Sequence, residues 1–154
     1  MTKHTERIHI YNKKALFDFE TVETFEAGIV LQGYEVKSVR LGNVNLKGNF
    51  VHIWHDAPWV EGMHIGHYPY ASTVEMDAKR KRKLLLKTKE IKKLAQYIHE
   101  QGVTAVVLEM YFKGPHAKVK LGIMRGKKQH DKRESIKRRD EERKLQSVLK
   151  AFRS

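Results

Sequence analysis

Two pairs of histidines are the residues of this chain whose type and spacing could ligate a metal ion. His52 and His55 form one pair and His64 and His67 the other, with two residues inside each pair. A structural zinc site needs four ligands. Residues three apart on a strand point to opposite faces, and no cysteine or suitably placed carboxylate completes either pair. We therefore interpret these histidines as surface or packing residues and expect no metal.

The same side chains could also cleave RNA without a metal. His64 and His67, with lysines nearby, supply the groups needed for one imidazole to take the 2′-hydroxyl proton while another protonates the leaving oxygen. A chain with 9 histidines makes such a coincidence common. No G-x-S-x-G elbow and no G-x-x-x-x-G-K-[ST] phosphate loop is present. A histidine-dependent ribonuclease is the weaker alternative, and we expect no catalytic residues and no cofactor.

Positive charge dominates the composition. The chain has 154 residues, with 31 Lys and Arg against 18 Asp and Glu, and a formal net charge of +13. Such a balance favours a polyanionic partner, either nucleic acid or an anionic membrane surface. No apolar run approaches the roughly 18 residues that span a bilayer, and the first ten residues lack a signal-peptide stretch. With no cysteine either, we expect a cytoplasmic protein.

The first basic segment begins with five consecutive cations. Like charges packed together repel one another, and phosphates that neutralise them release counterions and give salt-dependent affinity. We predict that this block contacts RNA. Its residues are Lys79, Arg80, Lys81, Arg82 and Lys83.

Aromatic side chains could add stacking on unpaired bases. In a domain of this size most aromatic residues belong to the core, so we expect one or two stacking residues at most. The sequence does not choose among Trp54, Trp59, Tyr68, Tyr70 and Tyr111.

The second basic segment is the C-terminal tail, residues 126–154. Its first part is highly charged and contains one strongly apolar residue, Ile136. A membrane-surface helix needs bulky apolar residues opposite its charges, so RNA is favoured and we expect no membrane contact. A segment this charged buries too little apolar surface to offset its ordering entropy. We expect the tail, residues 126–154, to be disordered in the free protein.

The elements that must position these residues are mostly strands. Residues 104–112 alternate apolar and other side chains, and residues 119–123 do so after a Gly-Pro turn, which predicts an antiparallel hairpin with one basic face. Residues 50–65 predict an earlier hairpin. Residues 89–101 have the apolar spacing of a helix that Thr88 can cap. Residues 25–40 are interpreted as a helix bent near Gly33.

Several short strands with one clear helix are typical of a small closed or nearly closed barrel, which hides its sheet edges. We predict a mainly β fold with flanking helices: an OB-like antiparallel β-barrel. Residues 1–125 form this RNA-binding domain, and residues 126–154 form the basic tail.

Five segments resemble the SsrA-binding protein (small protein B) family. They are residues 12–15 (NKKA), 23–29 (ETFEAGI), 33–38 (GYEVKS), 82–86 (RKLLL) and 126–133 (GKKQHDKR). The resemblance covers nearly the whole chain. It implies a non-enzymatic factor that binds the tRNA-like domain of transfer-messenger RNA, with elongation factor Tu in the delivery complex. This complex enters stalled ribosomes for trans-translation, which tags the incomplete polypeptide. A general RNA-binding or ribosome-associated module remains the alternative.

The resemblance also implies particular site residues. Glu26 and Leu85 match RNA-binding positions of the family, while Lys87 and Ala78 depart from the residues usual there. Lys87 is expected to contact a phosphate. The tail is expected to become helical on the ribosome. Its motif is expected to bind the ribosome and small-subunit ribosomal RNA through Lys127, Lys128, Asp131, Lys132, Arg133, Ile136, Lys137 and Arg138.

Overall fold

The computed structural model describes residues 8–67 and 77–126, together with Arg139 and Arg143. Nine strands and three helices occur in the two continuous ranges. In chain order they are β1 (His9–Tyr11), α1 (Lys13–Asp18), β2 (Phe19–Ile29), α2 (Gly33–Arg40), β3 (Val44–Asn45), β4 (Phe50–Trp54), β5 (Ala57–Glu61), β6 (His64–Ile65), β7 (Arg82–Leu85), α3 (Thr88–Ile98), β8 (Val103–Lys113) and β9 (His116–Gly126).

Seven of these strands form one sheet in the order β1-β8-β9-β2-β7-β5-β4, and β3 pairs separately with β6. Every paired neighbour is antiparallel. One face of the sheet carries the main core, to which α2 contributes Val39 and α3 contributes Leu94. A second, smaller core joins Ala15 of α1 to Val106, Leu108 and Met124. The mainly antiparallel β architecture predicted from the sequence is confirmed.

The hairpin of β8 and β9 is the strongest match to the sequence pattern. Met110, Val119, Leu121 and Ile123 are buried in the main core, as alternation predicts for strands with one face inward. Val107 is in the main core too, although it is three residues from Met110, while Val106 and Leu108 belong to the second core. A register shift between Val107 and Glu109 interrupts the ladder. Beyond it, the lysines of β9 lie on the opposite face.

The sheet is not closed into a barrel among the described residues, so of the two predicted forms, closed or nearly closed, the fully closed one is wrong. The sheet ends at β1 on one side and β4 on the other. Two buried asparagines link the open side instead. The Asn12 amide donates to Val107 O at 3.2 Å, and Asn49 both donates to Val107 O at 3.0 Å and accepts from Val107 N at 2.7 Å. Side-chain amides thus satisfy backbone groups of β8 beside β4.

The helix expected over residues 25–40 is confirmed for its second part and wrong for its first part. Residues up to Ile29 continue β2, and only Gly33–Arg40 is helical. Phe25 and Ile29 are four residues apart. A spacing of four places two residues on the same face of a strand and also on the same face of a helix. Ala27 between them is buried too, which fits the period of a strand.

The other two predicted elements need smaller changes. The helix expected over residues 89–101 spans Thr88–Ile98, and Lys87 rather than Thr88 is its N-cap residue. The early hairpin is present, with its turn at His55 and Asp56, both at positive φ. Its second strand ends at Glu61 because Gly62 adopts φ +82°, where a Cβ would meet Gly48 O at 2.8 Å. Within the described ranges, no helix is both long and apolar enough to cross a membrane.

Candidate nucleic-acid interface

The face of the seven-stranded sheet opposite the main core carries the candidate site, and we call it the outer face. On β2, Phe25 and Ala27 point into the core, so Glu26 and Gly28 point outward. Strand pairing extends this face across the sheet. Its residues include His9, Tyr11, Glu26, Gly28, Phe50, His52, Trp54, Trp59, Glu61, Lys83, Leu85, Glu109, Tyr111, Lys113, Lys118 and Lys120.

Glu26 lies near the middle of the outer face and holds two neighbours. Its carboxylate accepts a hydrogen bond from the Tyr111 hydroxyl at 2.5 Å and from Lys113 Nζ at 3.0 Å. These donors, Tyr111 first, lower the pKa of Glu26. Burial and the Glu26 hydrogen bond raise the pKa of Tyr111. Glu26 is therefore an ionised acceptor that orients a tyrosine and a lysine at the surface.

Leu85 lies on the outer face, on the strand paired with the one that carries Glu26, and not in the core. Its side chain is 54% exposed, and its backbone pairs with Gly28. A Cβ on Gly28 would lie 3.3 Å from Leu85 Cβ, so the glycine leaves the space that Leu85 covers. The two residues that the family resemblance implies for RNA binding thus share one surface.

The five-cation block alternates between outside and inside. Lys79, Lys81 and Lys83 are exposed. Arg82 is fully buried, so the expectation that it contacts RNA at the surface is wrong. Arginine suits the inward position because its planar fork makes several directed hydrogen bonds, whereas lysine suits a solvated point charge. The alternation of lysine and arginine is itself a period-two signal.

The Arg82 guanidinium donates hydrogen bonds to three other residues inside the fold. Its Nε donates to Glu35 Oε2 at 2.8 Å, its Nη1 to Met63 O at 2.8 Å, and its Nη2 to Ala78 O at 3.0 Å. Glu35, on α2, is equally buried. A buried charge is tolerated only when it is paired and hydrogen-bonded. The pair therefore joins α2 to β7 and fixes which residues of β7 face outward.

Arg80 completes this cluster from the rim. It is partly buried, and its Nε and Nη2 both donate to the Glu35 carboxylate. Burial alone would raise the pKa of Glu35, but hydrogen bonds from Arg80, from the Gln32 backbone and from Arg82 outweigh it, so the pKa is lowered. Arg80 is thus hydrogen-bonded mainly to Glu35, which leaves it less able than the exposed lysines to bind a ligand at the surface.

Besides the exposed Lys79, three lysines in and just after the five-cation block are available to anionic groups. Lys83 is exposed on β7, directly opposite Trp59 of β5. Lys81 has a side chain 61% exposed, with its Nζ 3.7 Å from Glu61 Oε1. Lys87 is exposed at the start of α3. The hairpin adds Lys113, Lys118 and Lys120, which sequence reasoning recognised only as a basic face.

The candidate stacking residues differ in how exposed they are. Trp54 is 57% exposed, while Trp59 and Tyr111 are partly buried on the outer face. Tyr68 and Tyr70 lie outside the described residues. His9, which the sequence did not single out, stacks on Tyr11 with ring centroids 4.4 Å apart. The position of His9 on the outer face follows from its pairing with Tyr111, which no local sequence pattern shows.

The two histidine pairs are not assembled into a common site. Nε2 of His52 lies 2.6 Å from Glu61 Oε2, and His55 is in the β4–β5 turn against Trp54. His64 belongs to the separate pair of β3 and β6, and His67 follows it. Over residues 8–67 and 77–126, no three His, Asp or Glu side chains are grouped as metal ligands.

The expected tail residues, from Lys127 to Arg138, lie outside the described residues. Two later tail residues, Arg139 and Arg143, are helical. The Arg139 guanidinium carbon lies 4.4 Å from the centroid of the Phe17 ring on α1. At the boundary, β9 continues through Gly126, which pairs with Phe19.

These features define a small antiparallel β protein with a basic, aromatic outer face and a further basic C-terminal segment. The SmpB protein family model matches residues 9–151. A curated SsrA-binding protein of Lacticaseibacillus casei (strain BL23) is 48% identical over 140 residues, covering 91% of this chain and 89% of that protein. Another, from Carboxydothermus hydrogenoformans, is 44% identical over 146 residues, covering 95% and 98%.

A solved structure is similar as well. It is described as "tmRNA-SmpB: a journey to the center of the bacterial ribosome", with a TM-score of 0.69 and 38% identity, and it covers 84% of this chain and 94% of that one. The chain belongs to the SmpB protein family.

Proposed function

We propose that this chain binds the tRNA-like domain of transfer-messenger RNA through its outer face and brings that RNA to stalled ribosomes for trans-translation. The proposed RNA contacts are Glu26, Lys79, Lys81, Lys83, Leu85 and Lys87, with Arg80 at the rim. Family membership supports this function, since the matched relatives are SsrA-binding proteins. Arg82 is omitted because it is buried.

One observation carries the proposal: Glu26 and Leu85 are both exposed on the outer face, on the paired strands β2 and β7, where Leu85 lies opposite Gly28. Lysines on the neighbouring strands supply the positive field that a phosphate backbone requires. The Glu26 carboxylate would repel a phosphate, so its value lies in holding Tyr111 and Lys113 or in accepting from a base amino group or 2′-hydroxyl. Such an acceptor on a basic surface favours one particular RNA over polyanions in general.

The partners beyond the RNA follow from the same function. We expect the basic tail, residues 127–154, to engage the ribosome and small-subunit ribosomal RNA, and elongation factor Tu to join the delivery complex. The site of action is then the cytoplasm, where translation takes place. The outer face is proposed for binding only, and we assign the chain no catalytic step.

A filter-binding titration across salt concentrations tests the function. Radiolabelled transfer-messenger RNA competes with unlabelled tRNA for the full chain, and the transfer-messenger RNA should win by at least tenfold at physiological salt. Equal competition by tRNA would favour the general RNA-binding module instead.

Glu26→Ala provides the site-specific arm of this experiment. It should weaken binding of transfer-messenger RNA about tenfold, while unrelated RNA binds as before. Glu23→Ala is the matched control, because Glu23 is on the same strand and accepts from Tyr97 and Lys93 at 2.7 and 2.8 Å, next to α3 instead of on the outer face. Equal losses in both variants would refute the outer-face site.

A further inference from the structure

A recess at the β4 end of the outer face is unexplained by the residues that the family resemblance implies. Its volume is about 140 Å³, and it is lined by His52, Trp54, Trp59 and Lys81. Trp54 is 57% exposed, which costs free energy in water because a large apolar ring stays hydrated. Exposed aromatic side chains grouped with a cation mark a binding surface.

The two indoles form adjacent walls. Their ring centroids are 5.9 Å apart, and their planes meet at 74°. Neither ring is therefore stacked face to face on the other. A flat aromatic ligand can lie against one indole face while its edge meets the second ring, an arrangement that aromatic quadrupoles favour.

The charges around the recess suit a phosphate-linked ligand. Glu61 is the acidic residue beside it, and that carboxylate is already approached by His52 Nε2 at 2.6 Å and Lys81 Nζ at 3.7 Å. The Lys81 side chain is 61% exposed, so its ammonium can also reach a phosphate. Lys83, the cross-strand partner of Trp59, is a second exposed cation here, so Lys81 and Lys83 together outweigh the single charge of Glu61 and a negative ligand meets a net positive neighbourhood.

The size and position of the recess further restrict the class of ligand that it can bind. Small-molecule sites usually enclose about 300–1,000 Å³, so a recess of about 140 Å³ accommodates one ring system and not a whole cofactor. Trp59 is the cross-strand partner of Lys83, and Lys83 is two residues from Leu85. The recess thus continues the surface proposed for RNA.

We infer that this recess stacks one unpaired base of the bound RNA on Trp54, with Trp59 as the second wall and Lys81 on the adjoining phosphate. The inference rests on the proposed function, which supplies an RNA with unpaired nucleotides. Base stacking on an aromatic side chain is tolerant of base identity. The recess adds affinity, while Glu26 adds selectivity.

Tryptophan fluorescence tests this directly, because the chain has 2 tryptophans and both line the recess. Full chain is titrated with a transcript of the tRNA-like domain, and the emission should be quenched in proportion to the RNA bound. A fully paired RNA hairpin stem with the same number of phosphates should bind through charge without comparable quenching. Trp54→Phe, which leaves Trp59 as the reporter, should lose most of the quenching.

Affinity gives the second readout. Stacking contributes enough that Trp54→Ala should weaken binding of the tRNA-like domain roughly 5- to 140-fold, while Trp54→Phe should recover most of that loss. Phe50→Ala is the matched control, since Phe50 is 44% exposed on the same strand but does not line the recess. Its affinity should change less than twofold.

Unchanged affinity of Trp54→Ala, or quenching by the paired stem equal to that of the tRNA-like domain, would overturn the stacking inference. So would a loss in Phe50→Ala as large as in Trp54→Ala. These failures differ from failure of the proposed function, in which the wild-type chain itself would not prefer transfer-messenger RNA over tRNA. Circular dichroism melting curves should be alike for all the variants because each replaced side chain is largely at the surface.

Discussion

Arg82 Nε and Glu35 Oε2 lie 2.8 Å apart, and both side chains are fully buried between β7 and α2. A paired buried charge contributes little when compared with apolar residues of the same volume, but removing one partner leaves the other uncompensated. This pair sets the register in which Lys83 and Leu85 face outward.

Arg82→Ala should destabilise the fold by about 3 kcal/mol, since the buried Glu35 would keep only the partly exposed Arg80 as a cationic partner and the carbonyls of Met63 and Ala78 would lose their donor. Lys83→Ala, one residue away, should change the free energy of unfolding by less than about 0.5 kcal/mol. It should instead lower the salt slope of RNA binding by about 0.7–0.9 per lost phosphate contact. Urea unfolding and filter binding measure the two effects. If the Arg82→Ala protein were stable but had lost RNA affinity, Arg82 would be an RNA contact and not a structural residue.

Acid should weaken the fold through Glu35. Its pKa is lowered in the folded protein from the ordinary value of 4.5, so its stabilising effect is fully present above about pH 4.5 and is lost as the pH falls through the folded-state pKa. Urea midpoints measured from pH 7 to pH 3 should fall more steeply for the wild type than for Glu35→Gln. Parallel curves would mean that Glu35 does not couple protons to folding. The comparison isolates Glu35 because the exposed carboxyls Glu23 and Glu26 are present in both proteins.

Gly28→Ala tests whether the position of Leu85 matters. The added methyl carbon would lie 3.3 Å from Leu85 Cβ, so the leucine must shift along the outer face. Because Leu85 is exposed and can move, we expect a loss of stability near 0.5 kcal/mol. RNA affinity should fall about tenfold, or about 1.4 kcal/mol. Gly33→Ala is the control, because a Cβ there meets no atom within 4 Å. Similar affinities of the two variants would show that Leu85 has no fixed place in the interface.

Removal of residues 127–154 should separate RNA binding from work on the ribosome. The cut must follow Gly126, because Met124 is buried and Arg125 and Gly126 still pair with β2. Affinity for transfer-messenger RNA should stay within about threefold of the full chain, equivalent to about 0.7 kcal/mol, while tagging on stalled ribosomes in a reconstituted translation assay should be abolished. A full-length protein with Asp131→Ala and Lys132→Ala tests the tail motif without shortening the chain. Retained tagging by the truncated protein would place the ribosome contacts elsewhere.

The sequence predicted the β8–β9 hairpin because residues 104–112 and 119–123 alternate apolar and other side chains on either side of a Gly-Pro turn. It did not show the register shift between Val107 and Glu109. It misassigned residues 25–29 because Phe25 and Ile29 fit a strand and a helix equally. Closure of the sheet was beyond prediction, since it depends on whether β4 pairs with β1 or is bridged by Asn12 and Asn49.

The site was predictable as a basic surface but not residue by residue. Three successive leucines do not reveal which one faces water, and the structure buries Leu84 while exposing Leu85. That choice follows from Arg82, whose partner Glu35 is 47 residues away in sequence. A long-range pair of this kind leaves no local pattern.

The inside-outside alternation along β7 also has a consequence for genetics. In a library of random substitutions screened in living bacteria, neighbouring codons of this strand should fail for opposite reasons. Changes at Arg82 should remove the polypeptide through proteolysis, whereas changes at Lys83, or at Lys81 just before the strand, should leave a well-accumulated product with weakened function. An immunoblot beside the growth phenotype would sort the two kinds of allele along a strand four residues long.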